Sequence, residues 1–223
     1  MLDIEEWINN YTREILDNFK DRINFIGLQG SYARGEATEE SDIDVVVIFD
    51  KLSIEDLNNY DEIISKMPYR DKICGFLAGK EEITNWEKSD LFQFYNDTRS
   101  IYGELDFFLP LIKRENVKQA ILIGSCNIYH TCCHNIIHEK SLEILKALYK
   151  QSIFVLQAKY FYDTNSYIKK KRDLIDKLFL EDKKILELYF DIKCMKDMNQ
   201  EEFNKYSNEL FIWSSQLIKR YNV

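Results

Sequence analysis

Apolar residues recur at two different spacings in the first half of the chain. Between Ile4 and Phe19 they fall every three or four positions, which predicts a helix with one buried face. Three shorter apolar runs predict strands from Ile23 to Leu28, from Asp42 to Phe49 and from Lys72 to Ala78. The second strand holds the continuous run Val45-Val46-Val47-Ile48, which is typical of a buried strand. The pattern therefore predicts a small buried sheet with helices packed against it.

Further along the chain the pattern changes from mixed to helical. Ser53, followed by acidic residues, predicts a helix N-cap and a helix that runs to about Met67. A fourth strand is predicted from Ile101 to Phe108. All seven glycines lie at or before Gly124 and both prolines lie at or before Pro110, so the rest of the chain lacks the residues that punctuate turns. Three- and four-residue apolar spacing then predicts helices at 114–136, 138–163, 165–180, 181–196 and 199–221.

These elements predict a chain of two parts. The expected fold class is an α/β (α+β) domain with a small mixed sheet, followed by an all-α helical bundle. We place the first domain at residues 1–112 and the helical domain at 113–223. No long linker is predicted between the two domains, and the sequence shows no internal repeat.

The composition narrows the range of functions. Hydrophobic residues make up 45% of the chain, which is typical of a globular protein. With 38 acidic and 30 basic residues the formal net charge is -8, and this argues against nucleic acid as a partner, because nonspecific binding to phosphates needs a basic surface. No apolar run of membrane-spanning length and no signal peptide are visible, and the five cysteines lack a disulfide spacing, so we expect a cytoplasmic protein. The oligomeric state is not predicted, and a homodimer stays open.

The stretch from Gly30 to Asp44 carries the most specific chemistry. It reads Gly30-Ser31-Tyr32-Ala33-Arg34-Gly35, then a short polar segment, then Ser41-Asp42-Ile43-Asp44. Gly30 ends the first predicted strand and lets the backbone approach a ligand closely. Ser31 starts a short helix whose first N–H groups predict an anion site for a triphosphate. Arg34 offers forked guanidinium donors for phosphate charge.

Two aspartates complete this candidate site. Asp42 and Asp44 lie two positions apart in the next predicted strand, so both carboxylates project from the same face. Neighbouring carboxylates repel each other unless a cation lies between them, and Mg²⁺ prefers hard oxygen ligands beside phosphates. We therefore expect Asp42 and Asp44 to be Mg²⁺ ligands, with ATP or another NTP bound at Gly30 and Ser31. This arrangement suits nucleotidyl transfer, in which a hydroxyl attacks the α-phosphate and pyrophosphate leaves.

The motif resembles the signature of the polymerase-β-like nucleotidyltransferase superfamily. That group includes aminoglycoside and lincosamide nucleotidyltransferases and small antitoxin-type nucleotidyltransferases. The resemblance rests on Gly30-Ser31, on Ala33-Arg34-Gly35 and on Ser41-Asp42-Ile43-Asp44, and it covers the first half of the chain. A helical second domain, as in the antibiotic-modifying members, fits the rest more loosely.

Such enzymes usually place a third carboxylate on the following core strand, as a metal ligand or as the base for the attacking hydroxyl. Here Cys74 and Gly75 occupy the positions where that acid is expected. Asp71, at the start of the strand, is the nearest candidate and is predicted as the third catalytic residue. Glu104 and Asp106, which share one face of the fourth predicted strand, form an alternative.

Other residues allow more than one interpretation. Cys126, His130, His134 and His138 recur every four positions on a predicted helix, but four ligands along one straight helix cannot surround a single ion. A zinc site, a substrate-contacting surface and a plain packing seam stay open for this row, the last being the simplest. Trp86 is interpreted as a core or interface anchor.

The expected function is Mg²⁺-dependent transfer of an NMP, most simply AMP, from an NTP to a hydroxyl of a small molecule. The acidic composition favours a cationic acceptor such as an aminoglycoside-like antibiotic. Two alternatives stay open. One is an antitoxin-like enzyme that adenylylates a protein, and the other is a nucleotide-binding module without activity, which the missing third acid would explain.

Overall fold

The first half of the chain is built on a mixed sheet of four strands, which a computed structural model describes together with the rest of residues 2–222. The strands are β1 (Ile23–Leu28), β2 (Ile43–Phe49), β3 (Ile73–Gly79) and β4 (Arg99–Tyr102). Their order in the sheet is β3-β2-β1-β4, with β1 antiparallel to β2 and β4, and with β2 parallel to β3. The strands β3 and β4 are therefore the two edges of the sheet, and β2 lies inside it.

One face of the sheet is covered by α1 (Ile4–Phe19) and α3 (Ile54–Ser65), with the five-residue helix α2 (Gly30–Arg34) between them in sequence. Asp3 caps α1, because its side chain accepts hydrogen bonds from the N–H groups of Glu5 and Glu6. The buried residues on this face come from both helices and from alternate strand positions: Trp7, Ile8, Tyr11, Ile15, Ile26, Leu28, Ile43, Val45, Val47, Phe49, Tyr60 and Ile64. Val45 and Val47 point into this core, so Asp44 and Val46 face the opposite side of the sheet.

The N-terminus of α3 is tied to the turn before β1 by an ion pair. Ser53 and Asp56 form a capping box, and Asp56 is only 3% exposed. Nη1 of Arg22 donates to Oδ1 of Asp56 at 2.6 Å, while Nη2 donates to Oδ2 at 2.9 Å. Hydrogen bonding from Arg22 lowers the pKa of Asp56 from 3.8 to about 2.

The opposite face of the sheet is covered by α4 (Lys80–Asn85), α5 (Lys88–Asp97) and a 3₁₀ segment, Asp106–Leu111. The predicted fourth strand, residues 101–108, is wrong at both ends, since β4 covers Arg99–Tyr102. Gly103 ends it, because it adopts a positive φ of 73° and a Cβ there would lie 2.3 Å from the carbonyl oxygen of Asn24.

The second half of the chain forms a separate compact unit, and the division between the units falls between Leu111 and Ile112. Within residues 112–222 the described backbone is helical, which confirms the predicted class of an α/β domain followed by helices. The helices are α6 (Arg114–His134), α7 (Leu142–Thr164), α8 (Lys171–Ile175), α9 (Leu180–Lys193) and α10 (Gln200–Tyr221). The assignment of residues 1–112 and 113–223 to two functional domains stays a prediction.

Packing in the helical unit centres on α6, α7 and α10. The buried hydroxyl of Tyr149 donates to the carbonyl of Tyr206 at 2.9 Å, which fixes α7 against α10. The predicted helix 165–180 is mostly wrong, because only Lys171–Ile175 and the first residue of α9, Leu180, are helical. Asn165 takes a left-handed φ of 56° and ends α7, so the helix cannot continue into the next segment. Within residues 2–222, no helix is both long enough and apolar enough to cross a membrane.

Candidate active site

The ends of β1 and β2 bring the two parts of the Gly30–Asp44 motif together. The strands are antiparallel, so the last residue of β1 lies beside the first residues of β2, and the N–H of Gln29 donates to the carbonyl of Asp44 at 2.8 Å. Gly30 follows with a positive φ of 65°. A Cβ at Gly30 would lie 1.8 Å from Oδ2 of Asp44. Only glycine allows both this backbone conformation and this approach of the carboxylate.

The helix α2 begins at Gly30 and ends after five residues, where Gly35 adopts a left-handed conformation. The first N–H groups of a helix have no carbonyl partner within that helix. In α2 these groups belong to Gly30, Ser31 and Tyr32, and Gly30 lies against the carboxylate of Asp44. The structure therefore places Gly30, the first residue of the segment predicted to bind phosphate, beside Asp44, which is predicted to bind metal.

Asp44 and Asp42 differ in their surroundings. Six of the seven residues of β2 are buried, and Asp44 is the half-buried exception. Asp42 lies one position before the strand rather than in it, and it is exposed. It follows a tight turn in which the N–H of Thr38 donates to Oγ of Ser41 at 2.9 Å. One carboxylate is thus held by the sheet and the other is presented by a turn.

Two carboxylates suit a Mg²⁺ ion whose remaining ligands come from a nucleotide and from water. Mg²⁺ commonly takes one or two carboxylates from the protein and completes its shell with phosphate oxygens and water. Among residues 2–222 no group of three or more Asp, Glu, His or Cys side chains is arranged to hold a metal ion. A metal bound by Asp42 and Asp44 would therefore depend on the phosphates of the substrate for its remaining ligands.

A thiol occupies the strand position where the resemblance leads us to expect a third carboxylate. In the parallel pairing of β2 with β3, Cys74 lies directly opposite Asp44, and Cys74 is exposed. Asp71 lies in a 3₁₀ turn before the strand, three positions away from Cys74, and is also exposed. Its predicted catalytic role stays a prediction.

The alternative third acids are not on a common strand face. Glu104 lies in the loop after β4, and Asp106 lies in the 3₁₀ segment, where it accepts a hydrogen bond from the hydroxyl of Tyr95 at 3.0 Å. The expectation that Glu104 and Asp106 share one face of a strand is therefore wrong. It failed because Gly103 ends β4 before either residue is reached.

Arg34, predicted to bind phosphate, makes contacts to two carboxylates of its own unit. Its Nε lies 3.2 Å from Oε2 of Glu36, and its Nη1 lies 3.9 Å from Oδ2 of Asp97. The side chain of Arg34 is 11% exposed and that of Asp97 is 9% exposed. Arg34 thus connects α2 to the end of α5. Asp97 was not predicted as a site residue, because nothing in the local sequence pattern around it indicates that it meets Arg34.

A second link joins the same elements. Nε2 of Gln29 donates to Oγ1 of Thr98 at 2.8 Å, and the hydroxyl of Thr98 donates to the carbonyl of Phe94. Gln29 immediately precedes α2, and Thr98 immediately follows α5. The start of the candidate phosphate site is therefore held by side chains from the end of α5.

Aromatic side chains lie on the same sheet face as Asp44, beyond Cys74. Phe76 is two positions after Cys74 on β3 and pairs in register with Val46, so it shares the face of Cys74 and Asp44. The ring of Trp86 meets Phe76 edge-on at 5.5 Å, and the ring of Phe94 meets it at 5.2 Å. Trp86 is 43% exposed, so it is not the buried core anchor that one interpretation of the sequence offered. We call Phe76, Trp86 and Phe94 the aromatic shelf.

The row of cysteine and histidines in the helical unit is exposed rather than packed. Cys126, His130 and His134 lie on α6, and His138 lies in a π-helical turn that follows it. The rings of His134 and His138 are 4.7 Å apart. Exposure of all four side chains makes the packing-seam interpretation wrong, and the row stays without an assigned role.

Comparison with known proteins gives consistent findings. The sequence model described as "Nucleotidyltransferase domain" matches residues 9–123. A Methanocaldococcus jannaschii protein named as a protein adenylyltransferase is 40% identical over 86 residues, which are 37% of this chain and 81% of that protein. A second protein of that name from the same organism is 39% identical over 66 residues, or 28% of this chain and 74% of the relative.

Among solved structures, the chain is similar to a spectinomycin adenyltransferase from Enterococcus faecialis, solved with ATP and spectinomycin. The TM-score is 0.57 at 15% sequence identity, and the match covers 96% of this chain and 98% of the other. At this identity the likeness shows a common fold. Because the match covers 96% of this chain, it includes the helical unit as well as the sheet.

Proposed function

Since this chain belongs to the nucleotidyltransferase domain family and is a nucleotidyltransferase, we propose that it transfers AMP from ATP to a hydroxyl group of a small molecule. The observation that carries the proposal is the contact of Gly30 with Asp44, where a Cβ would lie 1.8 Å from the carboxylate. This contact supports a site in which phosphate and metal ligands are adjacent, as nucleotidyl transfer requires.

Each residue of the motif has a role in this proposal. Gly30 and Ser31 bind the phosphates through the first N–H groups of α2, which point away from the helix. Asp42 and Asp44 hold Mg²⁺, and Asp44 is kept in place by β2. When bound, Mg²⁺ neutralises charge that develops on the phosphates. Arg34 orients α2 through Glu36 and Asp97.

The choice of ATP and of a small acceptor rests on similarity to other proteins. The relatives and the structural neighbour carry adenylyltransferase names, which favours ATP over other nucleotides. The neighbour that was solved with spectinomycin shares the fold of both units, which favours a small-molecule acceptor. Aminoglycoside-like antibiotics are therefore among the first acceptors to test.

A protein acceptor is the second candidate function. The sequence relatives named as protein adenylyltransferases are 40% and 39% identical to this chain, well above the 15% identity of the structural neighbour. Their matches, however, extend over only 37% and 28% of this chain. Those matches therefore leave more than half of this chain without a counterpart in the relatives.

The test uses ATP labelled either at the α-phosphate or at the γ-phosphate. The protein is incubated with Mg²⁺ and each label, with aminoglycosides, with other hydroxylated small molecules and with candidate proteins. The proposal predicts that the α-label appears on a small molecule while the γ-label appears in pyrophosphate. Transfer of the γ-label would contradict nucleotidyl transfer, and an α-label found only on protein would establish the second candidate.

A further inference from the structure

The edge strand β3 forms one wall of the candidate site, on the side of β2 opposite to β1. The side chains of this wall differ from the backbone N–H groups proposed to bind phosphate after β1. Cys74 and Phe76 lie on the face of the sheet that carries Asp44, because Asp44 pairs with Cys74 and Val46 pairs with Phe76. Between them, Gly75 is exposed at the edge. No residue from Ile73 to Gly79 is charged. On this face of β3, moving along the strand from the position opposite Asp44, the thiol of Cys74 comes first and the aromatic shelf follows.

The geometry of the transfer assigns this wall to one of the two substrates. In nucleotidyl transfer the attacking hydroxyl and the leaving pyrophosphate lie on opposite sides of the α-phosphorus. The proposed phosphate site follows β1, on one flank of β2, whereas β3 forms the other flank. With the leaving phosphates on the β1 flank, the acceptor approaches from the β3 flank. The aromatic shelf then lies on the acceptor's side.

The aromatic shelf offers a ring surface that is already held in place. Phe76 is half-buried between Trp86 and Phe94, and its ring meets them at interplanar angles of 86° and 64°. Phe94 is further packed against Phe108 at 6.1 Å. Trp86 keeps 43% of its surface exposed although its ring contacts Phe76. An exposed indole on a fixed aromatic base fits a flat apolar ring.

The residues of β3 include no carboxylate that could deprotonate an aliphatic alcohol. At the strand position opposite Asp44 a carboxylate would act as the base, and Cys74 is there instead. A phenol, with a pKa of about 10 like that of tyrosine, gives up its proton far more readily than an aliphatic alcohol, whose hydroxyl is about as weakly acidic as water with a pKa of about 15.7. A phenolic acceptor therefore needs less help from a base than an aliphatic alcohol does. The missing carboxylate and the aromatic shelf point independently to the same class of acceptor.

Resting on the proposed function, we propose that the aromatic shelf is the acceptor subsite and that the acceptor is a small phenol. The ring packs on Trp86 and Phe76, and the phenolic oxygen reaches the α-phosphorus near Asp44. The oxygen–phosphorus bond to the phenol forms, the bond from the α-phosphorus to the bridging oxygen breaks, and pyrophosphate leaves. The phenolic proton passes to solvent water. The product is an aryl ester of AMP.

The test compares two acceptors that differ only in the ring. With Mg²⁺ and α-labelled ATP, 4-methylphenol is compared with 4-methylcyclohexanol, and an aminoglycoside is included. We expect kcat/KM to be at least tenfold higher for 4-methylphenol, a factor that corresponds to about 1.4 kcal/mol. In Trp86→Leu the KM for 4-methylphenol rises about three- to tenfold while the KM for ATP is unchanged, because only the ring contact is lost. Tyr102→Leu, which removes an exposed aromatic residue from the opposite edge strand β4, is the matched control and leaves both values unchanged.

A binding measurement separates failure of the subsite from failure of the reaction. Trp7 and Trp213 are 4% and 2% exposed, so acrylamide quenching of tryptophan fluorescence reports mainly on Trp86. We expect 4-methylphenol to protect Trp86 from quenching in the presence of ATP. Equal or better transfer to 4-methylcyclohexanol or the aminoglycoside would overturn the inference and leave the proposed function standing. If no acceptor is labelled, the proposed function fails, and the absence of protection of Trp86 would overturn the subsite as well.

Discussion

Gly30 and Asp44 are in contact across the ends of β1 and β2, so closely that a Cβ on Gly30 would lie 1.8 Å from Oδ2 of Asp44. The same glycine has a φ of 65°, which L side chains rarely adopt. The backbone conformation at the proposed phosphate site therefore requires a residue without a side chain at position 30. The position of the Asp44 carboxylate, which would bind metal, requires the same. Phosphate binding and metal binding are thus proposed to depend on one contact, that of Gly30 with Asp44.

The first prediction concerns that contact. In Gly30→Ala the new methyl group displaces the carboxylate of Asp44, and we expect AMP transfer to fall about 100-fold, as displacements near 1 Å at a reacting centre do. The control is Gly35→Ala, which has a similar φ of 69° but open space around the added Cβ. That variant loses about 1 kcal/mol of stability from the left-handed backbone and keeps its activity. Equal activities for the two variants would contradict the role of the contact.

The second prediction separates two roles for Arg34. If it holds α2 against α5 through Glu36 and Asp97, Arg34→Lys loses the forked geometry and lowers the free energy of unfolding by about 1 to 2 kcal/mol. Urea unfolding measures this loss, and steady-state kinetics measure the KM for ATP. Unchanged stability with a raised KM would mean instead that Arg34 acts directly on phosphate.

The third prediction restores the absent carboxylate. Cys74 is exposed and lies opposite Asp44, so Cys74→Asp places an acid at the expected position with little effect on folding. We expect the rate with an aliphatic alcohol acceptor to rise at least tenfold, since a positioned base contributes about 10²–10⁴-fold. Cys194→Asp, at an exposed cysteine of the helical unit, is the control. A Cys74→Asp variant that shows no gain would indicate that the base comes from elsewhere, for which Asp71 is the first candidate.

The fourth prediction concerns stability against pH. The pKa of Asp56 is lowered from 3.8 to about 2 in the folded protein by Arg22, so its contribution is complete above pH 3.8 and is lost as the pH falls towards 2. We expect Asp56→Asn to lower the free energy of unfolding by about 1 kcal/mol at pH 7, a value that allows for solvent around the exposed part of Arg22. The difference from the unchanged protein should vanish near pH 2.

Urea unfolding at several pH values tests this, with Asp61→Asn as the control. Asp61 also pairs with an arginine, but its side chain is 69% exposed. Its substitution should leave the pH dependence unchanged. A gap between the unchanged protein and Asp56→Asn that persists at pH 2 would exclude the ionised Asp56 as its cause.

The sequence predicted those elements whose pattern is local and strong. The helix from Ile4 to Phe19 and the strand from Ile23 to Leu28 are confirmed at both ends. The apolar spacing is regular in both elements. Asp3 is the N-cap of the helix, and Gly30 follows the end of the strand. The motif also predicted that Gly30 and Asp44 belong to one site, and the antiparallel pairing of β1 with β2 brings these two residues together.

What the sequence did not predict depends on contacts between distant parts of the chain. The pairing of Arg34 with Asp97 joins α2 to α5, and no periodicity indicates it. The aromatic shelf combines one residue of β3 with Trp86 and with Phe94 of α5, a region for which no element was predicted. The sheet register alone shows that Phe76 shares the face of Asp44.

Nucleotidyl transfer at Asp42 and Asp44 can be tested by comparing three forms of the protein. Transfer of α-labelled AMP in the presence of Mg²⁺ is measured for the unchanged protein and for the double variant Asp42→Asn with Asp44→Asn. The control is Asp17→Asn with Asp21→Asn, which removes one exposed carboxylate in the last turn of α1 and one in the 3₁₀ turn after it. We predict that the first double variant loses at least about 100-fold in rate while keeping its fold, and that the second is unchanged. Wild-type transfer by the Asp42→Asn, Asp44→Asn variant would contradict the account.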